Sequence, residues 1–210
     1  GTDDSLAGEH LVVGGHLDHV GRQGDLIYPG ANDNASGAAA VLAVARAFVL
    51  GDVRPKRTVV FVLFAGEEQG MHGAEAYAEN PALPLERGVA MLNTDCPGEG
   101  DALRIACGNA NPDLWGIGAA AAQRRAGVPL TRGGCYGGGC DGQAFFDAGL
   151  PTLWFALANG GTFLHQPGDT PDTLDPDLFA EEVRLLFLTA AEIADGRYSR
   201  EERVPPESGS

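Results

Sequence analysis

Residues 58–70 read TVVFVLFAGEEQG. From Val59 to Phe64 the side chains are all apolar, most of them β-branched or aromatic. That is the composition of a strand buried on both faces, as in a parallel sheet covered by helices. It predicts an α/β fold with this run as a central strand. The run stops at Ala65-Gly66, and two adjacent carboxylates follow, Glu67 and Glu68. Carboxylates at the mouth of a core strand are costly unless something compensates them. The plainer alternative is that they open the next helix, where acids suit the dipole. The stretch alone favours that alternative; the rest of the chain weighs against it.

Upstream, residues 9–15 (EHLVVGG) form a short buried strand that delivers His16-Leu17-Asp18-His19 at its C-terminal end. In an extended segment His16 and Asp18 point to the same side, which suits a histidine ligand held through its second nitrogen by a carboxylate; a surface turn is the other reading. Residues 21–34 are a loop rich in turn formers. An apolar helix then runs to about Leu50 and stops at Gly51. Asp33 stands just before it, either as an N-cap or as a carboxylate presented at the loop–helix junction.

Downstream, a helix spans residues 72–79 and is stopped by Asn80-Pro81, with His72 on its surface. A third strand, 88–93, delivers Asp95. In open α/β sheets, sites form outside the carboxyl ends of strands, and three strand ends here present acid or histidine. A further strand is expected over 101–107 and an alanine-rich helix over 113–126. Residues 131–142 (TRGGCYGGGCDG) are a glycine-rich loop, read either as an active-site wall or as plain surface. It lacks the Gly-Lys-Ser/Thr of a P-loop. A short helix over 143–148, a strand over 150–157, a loop carrying His165 and an amphipathic helix over 175–194 complete the pattern. That last helix offers Leu178, Val183, Leu185, Leu186 and Ile193 to the core.

The chain has 210 residues, 44% hydrophobic and 20% charged, which fits one soluble globular domain. We expect that domain over 1–196, followed by a frayed charged tail over 197–210. No run of eighteen apolar residues occurs, so no membrane span is expected. The net charge of −15 argues against nucleic acid as a partner. It suits a secreted acidic protein, or one whose carboxylates surround cations. The four cysteines form no CxxC pair, which disfavours a zinc ribbon. Cys135 and Cys140 are placed to close a small disulfide loop, and reduced thiols fit equally well.

His16, Asp33, Glu68, Asp95 and His165 therefore make a set of two imidazoles and three carboxylates at strand ends and loops. Such mixed sets suit zinc, manganese or cobalt. Five ligands exceed the three protein ligands usual for one catalytic zinc. They suit two ions about 3.5–4 Å apart sharing a bridging carboxylate. Glu67, beside a ligand but not needed as one, is then the natural general base for the attacking water.

The chain resembles the catalytic domain of the family M28 zinc metallopeptidases, the aminopeptidase-type enzymes with a pair of zinc ions. The resemblance rests on VVGGHLDHVG, YPGANDNASGAAAVLAVARAF, RTVVFVLFAGEEQGMHGAEAYAENP, MLNTD, CDGQAFFDAGLPTLWF and FLHQPGDTPDTLD, in the family's order across residues 9–175. It implies a three-layer αβα sandwich around a mixed, mostly parallel sheet of eight strands. It implies two zinc ions: His16, Asp33 and Asp95 on one, and Asp33, Glu68 and His165 on the other, with Asp33 bridging. Glu67 would be the general base and Asp18 would orient His16. The substrate implied is a peptide or protein with a free N-terminus. A secreted or periplasmic setting, a cis peptide between Asp33 and Asn34, and an N-terminus shorter than the family's also follow.

Two departures stand out. Leu164 takes the place of the tyrosine that often precedes the last histidine, and Cys140-Asp141-Gly142 replaces a Ser-Asp-His. Tyr136 is either a phenol donor to the scissile carbonyl or an exposed turn residue. Two competing functions remain open: a glutaminyl-cyclase-like acyltransferase using one zinc, and a catalytically dead peptidase-like binding module.

Overall fold

A computed structural model describes residues 1–124, 129–134 and 140–200. The strands are β1 (His10–His16), β2 (Gly21–Gln23), β3 (Leu26–Tyr28), β4 (Thr58–Phe64), β5 (Gly88–Thr94), β6 (Ala102–Ala106), β7 (Leu130–Arg132) and β8 (Thr152–Ala158). The helices are α1 (Gly37–Leu50), α2 (His72–Glu79), α3 (Pro112–Gln123), α4 (Gly142–Asp147) and α5 (Pro176–Ala194). Six strands form one sheet in the order β4-β1-β5-β8-β6-β7. All its pairings are parallel except β6 with β8. β2 and β3 stand apart as an antiparallel ribbon. The mixed, mostly parallel character is as expected, but among the described residues the sheet has six strands rather than the eight implied.

Alternation along each strand divides the core into two layers. Leu11 and Val13 of β1 pack with α1, α3 and α5, through Val44, Leu114 and Leu185 among others. Val12, between them, faces Ala74 of α2 and Phe145 of α4. The sandwich thus has three helices on one face and two on the other. The stretch Ala31–Leu50 has the length and apolar composition to cross a membrane. Here α1 packs against β1, β4, β5 and α5 as a core helix.

The strand read as central, β4, lies instead at the edge of the sheet, and all of it but Phe64 is only half-buried. Its two faces are both covered: Val59 and Phe61 meet the α1–α5 layer, Val62 and Phe64 the α2–α4 layer. An unbroken apolar run reports covered faces; it carries no information about lateral neighbours. The β2–β3 ribbon was expected to be loop. Its signal was the Gly24-Asp25 pair between Gln23 and Leu26, a two-residue hairpin turn with Gly24 at φ 60°. At the C-terminal side, Arg197 pairs with Glu192, and Arg200 donates hydrogen bonds to the carbonyls of Leu85, Gly88 and Gly149. The expected frayed tail is therefore tied down through residue 200.

One core position runs against the fold's stability. Glu182 of α5 is 1% exposed, and among the described residues neither carboxyl oxygen has a hydrogen-bond partner. Burial pushes its carboxyl well above the ordinary carboxylate range. The folded chain keeps a proton there that the unfolded chain releases. Stability therefore falls as pH rises above the ordinary carboxylate value toward the raised folded one. Glu182→Met should raise stability at pH 7 by about 1–3 kcal/mol, and by less at pH 4. Denaturant melts at both pH values check this; an equal gain at both would contradict it.

Candidate metal centre

β1, β4, β5 and β8 run parallel, so their carboxyl ends open on one side of the sheet. His16 ends β1 in register with Phe64 of β4. Glu67 and Glu68 follow β4, Asp95 follows β5, and the loop after β8 brings His165. The five residues singled out from strand ends and loops converge. His16 Nε2 lies 3.3 Å from Asp95 Oδ1 and 3.4 Å from Asp33 Oδ1. On the other side of the same carboxylate, His165 Nε2 lies 3.1 Å from Asp33 Oδ2 and 3.0 Å from Glu68 Oε2. Asp33 thus presents one oxygen to each cluster. His16, Asp33 and Asp95 are buried.

Asp33 is held by its neighbours rather than spent as a cap. The Asn34 side chain accepts the Gly37 N–H that opens α1 at 2.9 Å and the Cys96 N–H at 3.2 Å. Asn34 Nδ2 donates to the Thr94 carbonyl at 3.1 Å. Asn32 Oδ1 accepts from Gly98 and Glu99 N–H at 2.8 and 3.1 Å. The Asp33–Asn34 peptide is cis, as the resemblance implied. The buried Asp169, which sequence reasoning passed over, accepts the N–H of Asn32 at 2.7 Å and of Asp33 at 3.0 Å. Asp169→Ala leaves both amides without these partners. Outer partners of this kind typically carry 10–100-fold in metal affinity, so zinc titration of the variant should show a loss of about that size. Unchanged affinity would show that Asp169 has no part in holding the site.

Asp18 meets His16 through its backbone: the carbonyl lies 3.0 Å from His16 Nδ1, and the carboxylate 3.8 Å. The Asp18 carboxylate instead accepts the Glu67 N–H at 3.3 Å. The Trp154 indole N–H donates to the Asp95 carbonyl at 3.1 Å. Tyr136 and Cys135 lie outside the described residues, and with Cys135 its expected pairing to Cys140, which is itself buried.

Two further groups belong to the site. Asp141 is fully buried at the start of α4, with no hydrogen-bond partner for either oxygen among the described residues. Burial, and then the charges of Glu67, Asp95 and Asp18, against a lowering pull from His16, lift its carboxyl to about 8. Sequence reasoning had noted the position only as a departure from Ser-Asp-His. His19, one residue past Asp18, carries no signal of a role in the sequence. Its ring is 7% exposed, with Nδ1 at 2.7 Å from Glu68 Oε1 and 3.7 Å from Asp33 Oδ2.

The electrostatics show an excess of carboxylate. Burial and then the charges of Asp95 and Glu68 lift Asp33 to about 8. Glu67 is raised by burial first, with Asp95, Glu68 and Asp18 adding to it. Burial pulls the His16 imidazolium down, but its hydrogen bond to Asp95 and the surrounding acids raise it to about 10. The adjoining cleft, of about 390 Å³, is lined by Glu67, Cys96, Trp154 and Leu164 beside the metal-type residues; among the described residues no lysine or arginine lines it. Two three-residue groups have ligand atoms close enough to share an ion: His16, Asp33 and Asp95, and His19, Asp33 and Glu68. Oxygen and imidazole donors in which the carboxylates outnumber the histidines, some of them buried and unbonded among the described residues, fit divalent cations. An α/β sandwich with acids and imidazoles gathered at parallel strand ends is the arrangement of a divalent-metal site.

The comparisons agree. The sequence profile of peptidase family M28 matches residues 2–190, and the chain belongs to that family. A protein of Trichophyton verrucosum named a probable leucine aminopeptidase is 28% identical over 192 residues, which cover 88% of this chain and 54% of that protein. A probable zinc metalloprotease of Pyrenophora tritici-repentis is 41% identical over 98 residues, 44% of this chain and 22% of that protein. Among solved structures, an aminopeptidase from Aneurinibacillus sp. strain AM-1 superposes with a TM-score of 0.78 at 27% identity, covering 92% of this chain and 46% of that one. A Macrostomum lignano glutaminyl cyclase shares the fold, with a TM-score of 0.72 at 19% identity, covering 89% and 68%. The chain spans about half the length of the first curated relatives it matches.

Proposed function

We propose that the chain is the catalytic domain of a dizinc aminopeptidase. The observation that carries this is Asp33, whose two oxygens face two separate clusters of donors. His16, Asp33 and Asp95 would hold one zinc ion; Asp33, Glu68 and His165 the other. When bound, the pair supplies Lewis acidity toward a carbonyl and lowers the pKa of a water toward ~7. Glu67 lines the cleft beside these residues. Its carboxylate takes a proton from the attacking water and passes it to the leaving amine. Its raised pKa suits that exchange. Asp18 holds the Glu67 backbone through the N–H bond.

The cleft selects by charge and by shape. Carboxylates without lysine or arginine favour the α-ammonium of a peptide over its C-terminal carboxylate. Trp154, Leu164 and Cys96 form an apolar wall suited to the first side chain. The relative named a leucine aminopeptidase is consistent with that preference. Family resemblance supports a secreted or periplasmic setting.

A panel of aminoacyl-anilides tests the reading. Apolar residues should be released fastest, N-acetylated substrates should resist, and a chelator should abolish turnover until zinc is returned. Turnover indifferent to chelator would contradict it. Cyclisation of N-terminal glutamine without release of residues would favour the one-zinc acyltransferase. The five-donor set argues against that alternative.

A further inference from the structure

His19 lies beside the proposed second zinc position. A buried imidazole normally satisfies both nitrogens with hydrogen bonds. Among the described residues His19 satisfies neither, and Glu68 Oε1, 2.7 Å from its Nδ1, is also without a hydrogen bond. The two atoms are close, yet the ring is turned so that an N–H at Nδ1 would not point at the oxygen. A protonated His19 serving only as counter-charge to Glu68 would align that bond. Asp33 Oδ2 lies 3.7 Å from the same nitrogen. Ligand atoms about 2.0–2.2 Å from one tetrahedral ion lie roughly 3.3–3.6 Å apart. The two separations at Nδ1, 2.7 and 3.7 Å, fall on either side of that range.

The ring is fixed in place. Gly30, at φ 68°, leaves the space for it: a Cβ there would come within 2.5 Å of the His19 ring. The His165 ring stands edge-on to it, with centroids 5.7 Å apart. Both imidazoles therefore face the same two carboxylates from different sides.

We propose that His19 is a fourth protein ligand of the second cation position, alongside Asp33, Glu68 and His165. This rests on the dizinc reading above. The two positions then differ in kind. The first, with His16, Asp33 and Asp95, keeps the open coordination that a catalytic zinc requires, while the second is closed by four protein donors. With two imidazoles the second position is also the better zinc site, so it fills first.

X-ray absorption fine structure on the zinc-loaded wild-type chain counts imidazoles directly. At one equivalent, two imidazoles should surround the ion; at two equivalents, three imidazoles should be shared between two ions. His19→Ala should weaken the tighter of the two affinities at least ~10-fold in chelator competition. It should also change the visible spectrum of the first cobalt ion bound. Loss of affinity alone does not separate a ligand from an outer partner; the imidazole count does. Two ions bound with only two imidazoles between them would overturn this proposal and leave the dizinc reading standing. Fewer than two ions on the wild-type chain would overturn both. Should His19→Ala fail to fold, the wild-type count still decides.

Discussion

Glu67→Gln should lower kcat by at least about 10²–10⁴-fold, the usual contribution of a positioned general base, and leave zinc content unchanged. Gln fills the same volume, and the backbone N–H to Asp18 is retained, so the fold and the donor clusters survive. The side-chain amide cannot accept the proton from water. Glu68→Gln should do the reverse: the oxygen facing His165 at 3.0 Å loses its charge, and zinc occupancy falls. The adjacent pair thus separates proton transfer from metal binding by one residue. Turnover and zinc per chain, measured together for both variants, give the result. Near-normal turnover in Glu67→Gln, or metal loss from it while Glu68→Gln keeps its zinc, would show the roles wrongly assigned.

The second large effect is at Asp33. Asp33→Ala removes an oxygen from each cluster at once, so zinc per chain should fall from two toward none. Turnover should fall by more than the ~10–100-fold typical of an outer partner. The metal-free fold should not suffer, because burial and the neighbouring acids already hold Asp33 protonated up to about 8. Zinc at 100 times its Kd stabilises a folded chain by about 2.7 kcal/mol per site. That thermal shift should be present in the wild-type chain and lost in the variant. A variant that still binds two ions with the wild-type shift would mean Asp33 does not bridge.

The layering of the fold was legible because burial imposes period. The runs in β1, β5 and β8 and the amphipathic α5 carry it openly, and their ends place His16, Asp95 and the His165 loop on one side. Lateral order was not legible. Val59 to Phe64 looks the same at the centre of a sheet as at its edge when both faces are covered. The β2–β3 ribbon is largely exposed, so it has no buried face to impose alternation. Residues that act on Asp33 from a distance were invisible for a related reason. Asp169 lies more than a hundred residues away, and only the fold makes its carboxylate a partner for the Asn32 and Asp33 amides. Asp141 and His19 sit outside the regular elements, where type and spacing look the same for surface and site. Their burial without hydrogen bonds among the described residues marks them, and burial is a property of the folded chain.

The most direct test of the central claim is the number of zinc equivalents needed to restore turnover. The chain is stripped with chelator, dialysed and titrated with zinc, while aminoacyl-anilide hydrolysis and bound metal are followed together. The paired clusters around Asp33 predict that binding ends at two zinc ions per chain and that full turnover arrives only with the second. Saturation at one ion, or turnover that survives with none, would contradict the two-cation site.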